Sequence, residues 1–199
     1  MKGLLLKDFI NVKTHLFYYL ISVIIFIAVA VITENNYFFY GAMMFFSVSM
    51  TMSNMNFDEH DGFEKFAVSS GIPRKKIVWG KYLFAAITLV VFAAFCAVVN
   101  LALQSGAEEY YAALIYLAAA IVVLDIMLPL FFRFGVERSR YMYVLALVIV
   151  MLVVAASGAL IGASALSLPL IAAIIGAISV VATAVSIVFS LKIIKRKEY

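Results

Sequence analysis

Long apolar runs separated by short polar segments make up almost the whole chain. A helix needs about 20 apolar residues to cross the hydrocarbon core of a bilayer, and six of the runs approach or exceed that length. The pattern therefore predicts an all-α, polytopic integral membrane protein with six transmembrane helices. The predicted spans cover residues 15–33, 37–57, 78–104, 110–132, 141–162 and 168–194.

The first fourteen residues differ from the spans because lysines are interspersed with apolar residues. Leu5, Phe9, Val12 and Leu16 fall on one helical stripe, and Lys7 lies on another side, within reach of lipid phosphate groups. We expect an interfacial elbow helix over residues 1–14 that leads into the first span through a bend. No small-residue cleavage site follows, which argues against a cleaved signal peptide.

The longest polar interruption is the segment 58–81 between spans two and three. Asp61 and Glu64 have the spacing of a capping box, and Gly71 followed by Pro73 is typical of a helix end and the start of the next helix. The spacing predicts a helix of about 9–10 residues, too short to cross a bilayer. Helical spacing places four of its residues on one face, namely Phe63, Phe66, Ala67 and Ser70.

A helix of this length is marginal alone in water, so it needs a surface on which to dock. That surface is either the membrane interface or a soluble partner. The alternative interpretation is a solvated loop with incidental helical character.

Basic residues lie on only one side of this topology. All 15 lysines and arginines are at the two termini, in the segment 58–81 or in the loop 133–140. The opposite loops carry Glu34, Glu108 and Glu109 instead. The positive-inside rule therefore places both termini and the two basic loops in the cytoplasm.

Composition supports the membrane assignment. The chain is 66% hydrophobic and 13% charged, with a mean hydropathy of +1.11, whereas soluble domains are about 45–50% apolar and about 25% charged. We expect one transmembrane domain over 1–199. Cys96 is the single cysteine, so an intramolecular disulfide is excluded. The basic residues flank spans and do not indicate nucleic-acid binding.

The sequence shows no pattern typical of an enzyme. It has no G-x-x-x-x-G-K-[ST] motif for ATP phosphates, and His15 and His60 lack the spacing of a metal site. No nucleophile–base set falls inside the spans. We expect no catalytic residues, no metal and no cofactor in this chain.

Polar residues inside the spans are the remaining candidates. Asp125 is an ionisable residue in the inner half of span four, where charge is costly and faces a cavity or a partner. It either lines a translocation path or pairs structurally with a neighbouring span, and Pro129 can kink the helix beside it. Asn100 is a second buried candidate. In methionine-rich span two, Met50 and Asn54 line a path for amphipathic cargo or serve ordinary packing.

Three stretches resemble type-2 ABC export permeases. They are SSGIPRKKIVWGKY at 69–82, LPLFFRFGVERSR at 128–140 and KDFINVK at 7–13. The short external loops look closest to the small permeases that export amphipathic or antimicrobial peptides, including phenol-soluble modulins. The large external loop that longer members carry before the last span is missing here.

This resemblance implies a permease subunit in the bacterial cell membrane that works with two separate ABC ATPase subunits, which bind ATP and Mg. It also implies a second permease copy, identical or paralogous, in the lipid bilayer. The segment after span two would be the coupling helix that docks on the ATPase. Its coupling residues would be Asp61, Phe63, Glu64, Phe66, Ala67, Val68 and Ser70.

Two other functions remain open. A six-span substrate-capture component of a vitamin or solute uptake system has a similar length, but it needs a polar pocket on the outer side, and the outer loops here are short. A membrane protein without a transport role is the other alternative.

Overall fold

The computed structural model describes residues 2–33, 36–135 and 168–196, together with four single positions between 139 and 148. Every regular element in these ranges is an α-helix, which confirms the all-α fold class. The helices are α1 (Lys2–Thr33), α2 (Tyr37–His60), α3 (Phe63–Ser69), α4 (Arg74–Ala102), α5 (Ala107–Phe134) and α6 (Leu168–Arg196).

Among the described residues, α4, α5 and α6 are long and apolar enough to cross a membrane, and α1 adds a fourth span if its two bent halves count as one. The chain is therefore a multi-pass membrane protein. Helix α2 matches predicted span two in position but is less apolar. It packs against α1, α4 and α5, so neighbouring helices cover much of its polar surface. Predicted span five falls almost wholly outside the described residues, and the count of six stays a prediction.

The predicted bend in α1 is confirmed. The two parts Gly3–Lys13 and Phe17–Thr33 meet at 65°, and we call Gly3–Lys13 the first limb and Phe17–Thr33 the second limb. The role predicted for Lys7 is wrong, however. Its amino group pairs with Asp8 and Asp58 instead of extending to lipid phosphates.

Helix α3 begins differently from its prediction. The residue before it is Gly62, in the left-handed region at φ 62°, and no side chain caps the helix. The predicted capping box of Asp61 and Glu64 is therefore wrong, and α3 has seven residues instead of 9–10. A turn that starts in the left-handed region suits glycine, which leaves Asp61 outside the helix.

The end of α3 agrees with its prediction. Gly71 has φ 79° and donates its N–H to the Val68 carbonyl at 3.1 Å, while Ile72 donates to the Ala67 carbonyl at 3.0 Å. These two bonds form a Schellman motif. Pro73 follows at once, and α4 begins at Arg74.

The polar ends of five helices meet at one end of the bundle, which we call the basic end. Lys7 of α1, Asp58 of α2 and Lys81 of α4 are in direct contact there. Arg74 of α4 donates to the Ile194 carbonyl of α6 at 3.4 Å. Gly135, just after α5, lies against the Glu59 carboxylate.

Candidate functional site

Helix α3 lies at the basic end and has two different sides. Lys7 of α1 stacks over the Phe63 ring, 3.5 Å from its centroid, and Ala67 is fully buried. Phe66 is 65% exposed, and its neighbour Lys65 is exposed too. Phe63 and Ala67 therefore fix α3 to its own chain, while Phe66 points outward.

The predicted single docking face is thus divided. Of the seven residues predicted to couple, Phe66, Asp61 and Ser70 are exposed, and Phe63, Glu64 and Val68 are partly buried. Periodicity placed Phe63 and Phe66 together, but three residues along a helix correspond to a rotation of about 60° between their side chains. In a helix of two turns this rotation is enough for Phe63 to contact α1 while the Phe66 ring is exposed. The coupling role itself stays a prediction.

Beneath α3 lies the charged cluster, formed by Lys7 and Asp8 of α1, Asn54 and Asp58 of α2, and Lys81 of α4. Lys81 Nζ lies 3.0 Å from Asp8 Oδ1, 2.7 Å from Asp58 Oδ2 and 3.2 Å from Asn54 Oδ1. Lys7 Nζ lies 3.2 Å from Asp8 Oδ1 and also contacts Asp58 Oδ1. Each aspartate therefore bridges both lysines.

Two positive and two negative charges balance inside this cluster. Asp8, Asp58 and Lys81 are buried, so each ion has lost most of its hydration. A charge removed from water in this way costs several kcal/mol unless it is paired and hydrogen-bonded. The reciprocal contacts supply that pairing and hold the first limb of α1, the end of α2 and the start of α4 in one arrangement.

Sequence reasoning missed the charged cluster because Asp58 and Lys81 bound the longest polar segment and resemble ordinary loop charges. One signal was present. Asn54 and Asp58 are four residues apart on α2 and so share a face. Lys81 also lies between Val78 and Tyr82, which are buried.

On the other side of α4 is the hydroxyl cluster, formed by Tyr82, Asp125, Thr183, Ser186 and Ser190. Thr183 Oγ1 donates to Asp125 Oδ2 at 2.7 Å. The Tyr82 hydroxyl lies 2.5 Å from Ser186 Oγ and 2.9 Å from Ser190 Oγ. These contacts join α4, α5 and α6.

Pro129 explains one bond in this cluster. Proline lacks the N–H that would bond the carbonyl four residues earlier, which here is the carbonyl of Asp125. Ser186 Oγ donates to that carbonyl at 2.6 Å instead. The proline thus creates an acceptor on α5 that a hydroxyl on α6 satisfies.

A third polar contact lies far from the basic end. The Tyr40 hydroxyl donates to Asn100 Oδ1 at 2.5 Å, and Asn36 Nδ2 lies 3.1 Å from Ser105 Oγ. Lys81 and Asn100 are about 28 Å apart along α4 at 1.5 Å per residue. Asn100 is therefore remote from the charged cluster.

The four predicted path residues do not converge. Asn54 is in the charged cluster, Asp125 is in the hydroxyl cluster, and Asn100 bonds Tyr40. Met50 is half-buried and lines an apolar cavity between α1, α2 and α4. The described part of the chain therefore does not bring these side chains to one pore, and their path role stays a prediction.

Comparison with known families supplies one match. A family model described as ABC-2 family transporter protein matches residues 3–195. The match includes α3, the charged cluster and the hydroxyl cluster. No curated protein and no solved structure matches the chain.

Proposed function

The chain belongs to the ABC-2 family of transporter proteins, and we propose that it couples a separate ATPase to the export of small amphipathic cargo, with peptides as the first class to test. Membership in the family makes it the membrane component of an ABC transporter. The ATPase contact, the direction of transport and the cargo are parts of the proposal.

The exposure of Phe66 supports the coupling part of the proposal most directly. An aromatic ring that is 65% exposed on a fixed, two-turn helix is available to a groove in a soluble partner. Burying the exposed part of such a ring contributes about 1–2 kcal/mol to binding. We therefore assign the ATPase contact to Phe66 with Asp61 and Ser70 around it, and we assign Phe63 and Ala67 to anchoring.

The contacts beneath α3 suggest how movement is transmitted. In the proposed cycle, two ATPase subunits close on ATP and Mg and displace α3. Phe63 then acts on Lys7, and the charged cluster moves α1, α2 and α4 together. Such a cycle requires that the contacts of α3 differ in energy between the closed and the open ATPase. ATP binding and release would supply that difference.

The remaining assignments follow from this role. The basic end and both termini are cytoplasmic in the proposal, in agreement with the positive-inside rule, and the membrane is the bacterial cell membrane. A second permease copy, identical or paralogous, completes the path. Asn54, Asn100 and Asp125 are held by intrachain bonds, so we expect them to stabilise the protomer. Family membership favours this role over solute capture.

The decisive experiment replaces Phe66 by Ser and measures ATPase binding. The permease is purified in a mild detergent with the ATPase encoded beside it or co-purifying with it. Phe66→Ser should weaken ATPase binding about tenfold, which corresponds to about 1.4 kcal/mol. It should leave the elution volume and the thermal unfolding of the permease unchanged, because the ring is largely exposed.

Phe134→Ser is the matched control, since Phe134 is also a partly exposed phenylalanine at the basic end. It should retain wild-type ATPase binding. If folded Phe66→Ser protein binds the ATPase and stimulates hydrolysis as wild type does, α3 is not the coupling helix.

A further inference from the structure

A cavity of about 190 Å³ lies inside the bend of α1. Phe9 on the first limb and Leu20 on the second limb line it, and Met43 of α2 and Val91 of α4 complete its wall. The two limbs diverge at 65°, which leaves a wedge of space against α2 and α4. Leu20 and Val91 are about half-exposed, so the cavity opens sideways from the bundle.

The wall of this cavity is almost entirely apolar. Three of its residues carry a hydroxyl, namely Tyr19, Ser47 and Thr88. Ser47 Oγ donates to Thr88 Oγ1 at 3.4 Å, and Thr88 donates to the Ala85 carbonyl at 2.8 Å. A polar ligand would lose its hydration against such a wall and gain few hydrogen bonds in return. The chemistry of the wall therefore fits a hydrocarbon chain.

A positively charged residue, Lys13, lies one helical turn from the lining residue Phe9. Lys13 lies four residues after Phe9, so both fall on one face of the first limb. Lys13 is exposed, and the ion pairs of the charged cluster do not use it. Its charge complements an anionic group held beside the opening.

From this geometry we propose that the cavity binds one acyl chain of an anionic phospholipid, with the lipid phosphate at Lys13. The acyl chain enters past Phe9 and runs along α4 from Ile87 toward Phe95, a distance of about 12 Å at 1.5 Å per residue. It fills the wedge between the limbs and supplies contacts that an empty cavity lacks. The lipid is thus a structural ligand that stabilises the bend of α1.

Photolabelling tests this assignment. The full chain is reconstituted in vesicles of phosphatidylglycerol that contain a trace of the same lipid with a photoreactive acyl chain. Val91→Trp fills the cavity, whereas Val90→Trp places the same side chain on the neighbouring exposed position outside it. Labelling of α1 and α4 peptides should fall about tenfold in Val91→Trp relative to Val90→Trp, as expected for an overpacked site.

A second pair of variants fills the cavity from the α1 side, in case Val91→Trp disturbs folding. Leu20→Trp enters the cavity from the second limb, and adjacent Ile21→Trp does not. The same difference in labelling should appear. Equal labelling within both pairs of folded variants overturns the proposal.

The headgroup preference is tested with Lys13→Gln. Wild type should label more strongly in phosphatidylglycerol than in phosphatidylcholine vesicles, and Lys13→Gln should reduce that preference about fivefold, the size expected for one lysine at an anionic surface. Lys192→Gln, which changes another exposed lysine, should keep the preference.

Two outcomes would assign the cavity to another occupant. Displacement of the lipid label by an amphipathic peptide at equimolar ratio would make it a cargo site. Dissociation of a permease dimer by Val91→Trp, with lipid labelling unchanged, would make it a contact between copies. Both outcomes contradict the lipid assignment, and neither bears on ATPase binding at α3.

Discussion

The charged cluster and the hydroxyl cluster lie in the same turn of α4 but on different sides of it. Lys81 and Tyr82 are adjacent in sequence, and successive side chains on a helix point about 100° apart. Lys81 therefore reaches α1 and α2, and Tyr82 reaches α6, whose Ser186 in turn bonds α5. One turn of α4 is therefore connected to α1 and α2 by ion pairs and to α6, and through it to α5, by hydrogen bonds of hydroxyls.

The difference lies in how many arrangements each cluster allows. In the charged cluster the donors and acceptors are fixed, because an ammonium only donates and a carboxylate only accepts. In the hydroxyl cluster, each hydroxyl can both donate and accept, and it can rotate about its C–O bond. The first cluster thus specifies one geometry, and the second retains hydrogen bonds when its members shift. We expect α5 and α6 to move relative to α4 more readily than α1 and α2 do.

The strongest test of this contrast is Lys81→Met. The substitution leaves Asp8 and Asp58 with Lys7 as their one remaining cationic partner in the cluster, and breaking a buried pair in this way costs about 3–5 kcal/mol. We expect a large loss of folded protein and a much lower Tm in detergent, measured by fluorescence-detected size-exclusion chromatography after heating. Lys76→Met, at an exposed lysine on the same helix, should behave as wild type.

Adding Asp58→Asn to Lys81→Met sharpens the same test. The double variant removes one stranded carboxylate, so its loss of stability should be smaller than the sum of the two single losses by about 1–3 kcal/mol. Strict additivity would show that the contacts between Lys81 and Asp58 contribute little, and the two clusters would then not differ in the proposed way.

Ser186→Ala tests the hydroxyl cluster and should have a smaller effect. It leaves the Asp125 carbonyl without a donor, at a cost of about 1–3 kcal/mol for a buried unsatisfied group. Tyr82 keeps its bond to Ser190. The readout is the shift in thermal unfolding relative to wild type.

Pro129→Ala provides an internal check of that interpretation. Alanine restores the N–H that can bond the Asp125 carbonyl within α5. In the Pro129→Ala background, Ser186→Ala should therefore cost markedly less than it does alone. An equal cost in both backgrounds would show that Ser186 stabilises the bundle by some other contact.

The fold was largely predictable because apolar run length and local end signals are properties of short stretches. The bend of α1 and the Gly71 end of α3 followed from such signals. The start of α3 did not, because Asp61 satisfies the capping pattern but Gly62 adopts the left-handed turn. Asp61 and Gly62 are both able to precede the first residue of a helix. The sequence pattern does not include backbone conformation, so it could not distinguish between them.

The site was less predictable because its groups come from distant parts of the chain. The prediction singled out Asp125, and its structural pairing with a hydroxyl of another span was one of the two interpretations considered. The partners Thr183 and Ser186 were not identifiable, since isolated hydroxyls in a span carry no pattern. Lys7 was expected at lipid phosphates and Lys81 was grouped with the polar segment 58–81, because their ion pairs depend on helices packed from three separate segments.

Asp125→Asn should have the smallest effect and separates the two interpretations of that residue. The Asn oxygen can still accept from Thr183 Oγ1, and the backbone carbonyl still accepts from Ser186, so we expect a change in unfolding free energy of no more than about 1 kcal/mol. Transport of an amphipathic peptide by the reconstituted complex should be retained. Loss of transport at unchanged Tm would instead place Asp125 in the path, and the hydroxyl cluster would then be part of the cargo route and more than a joint between helices.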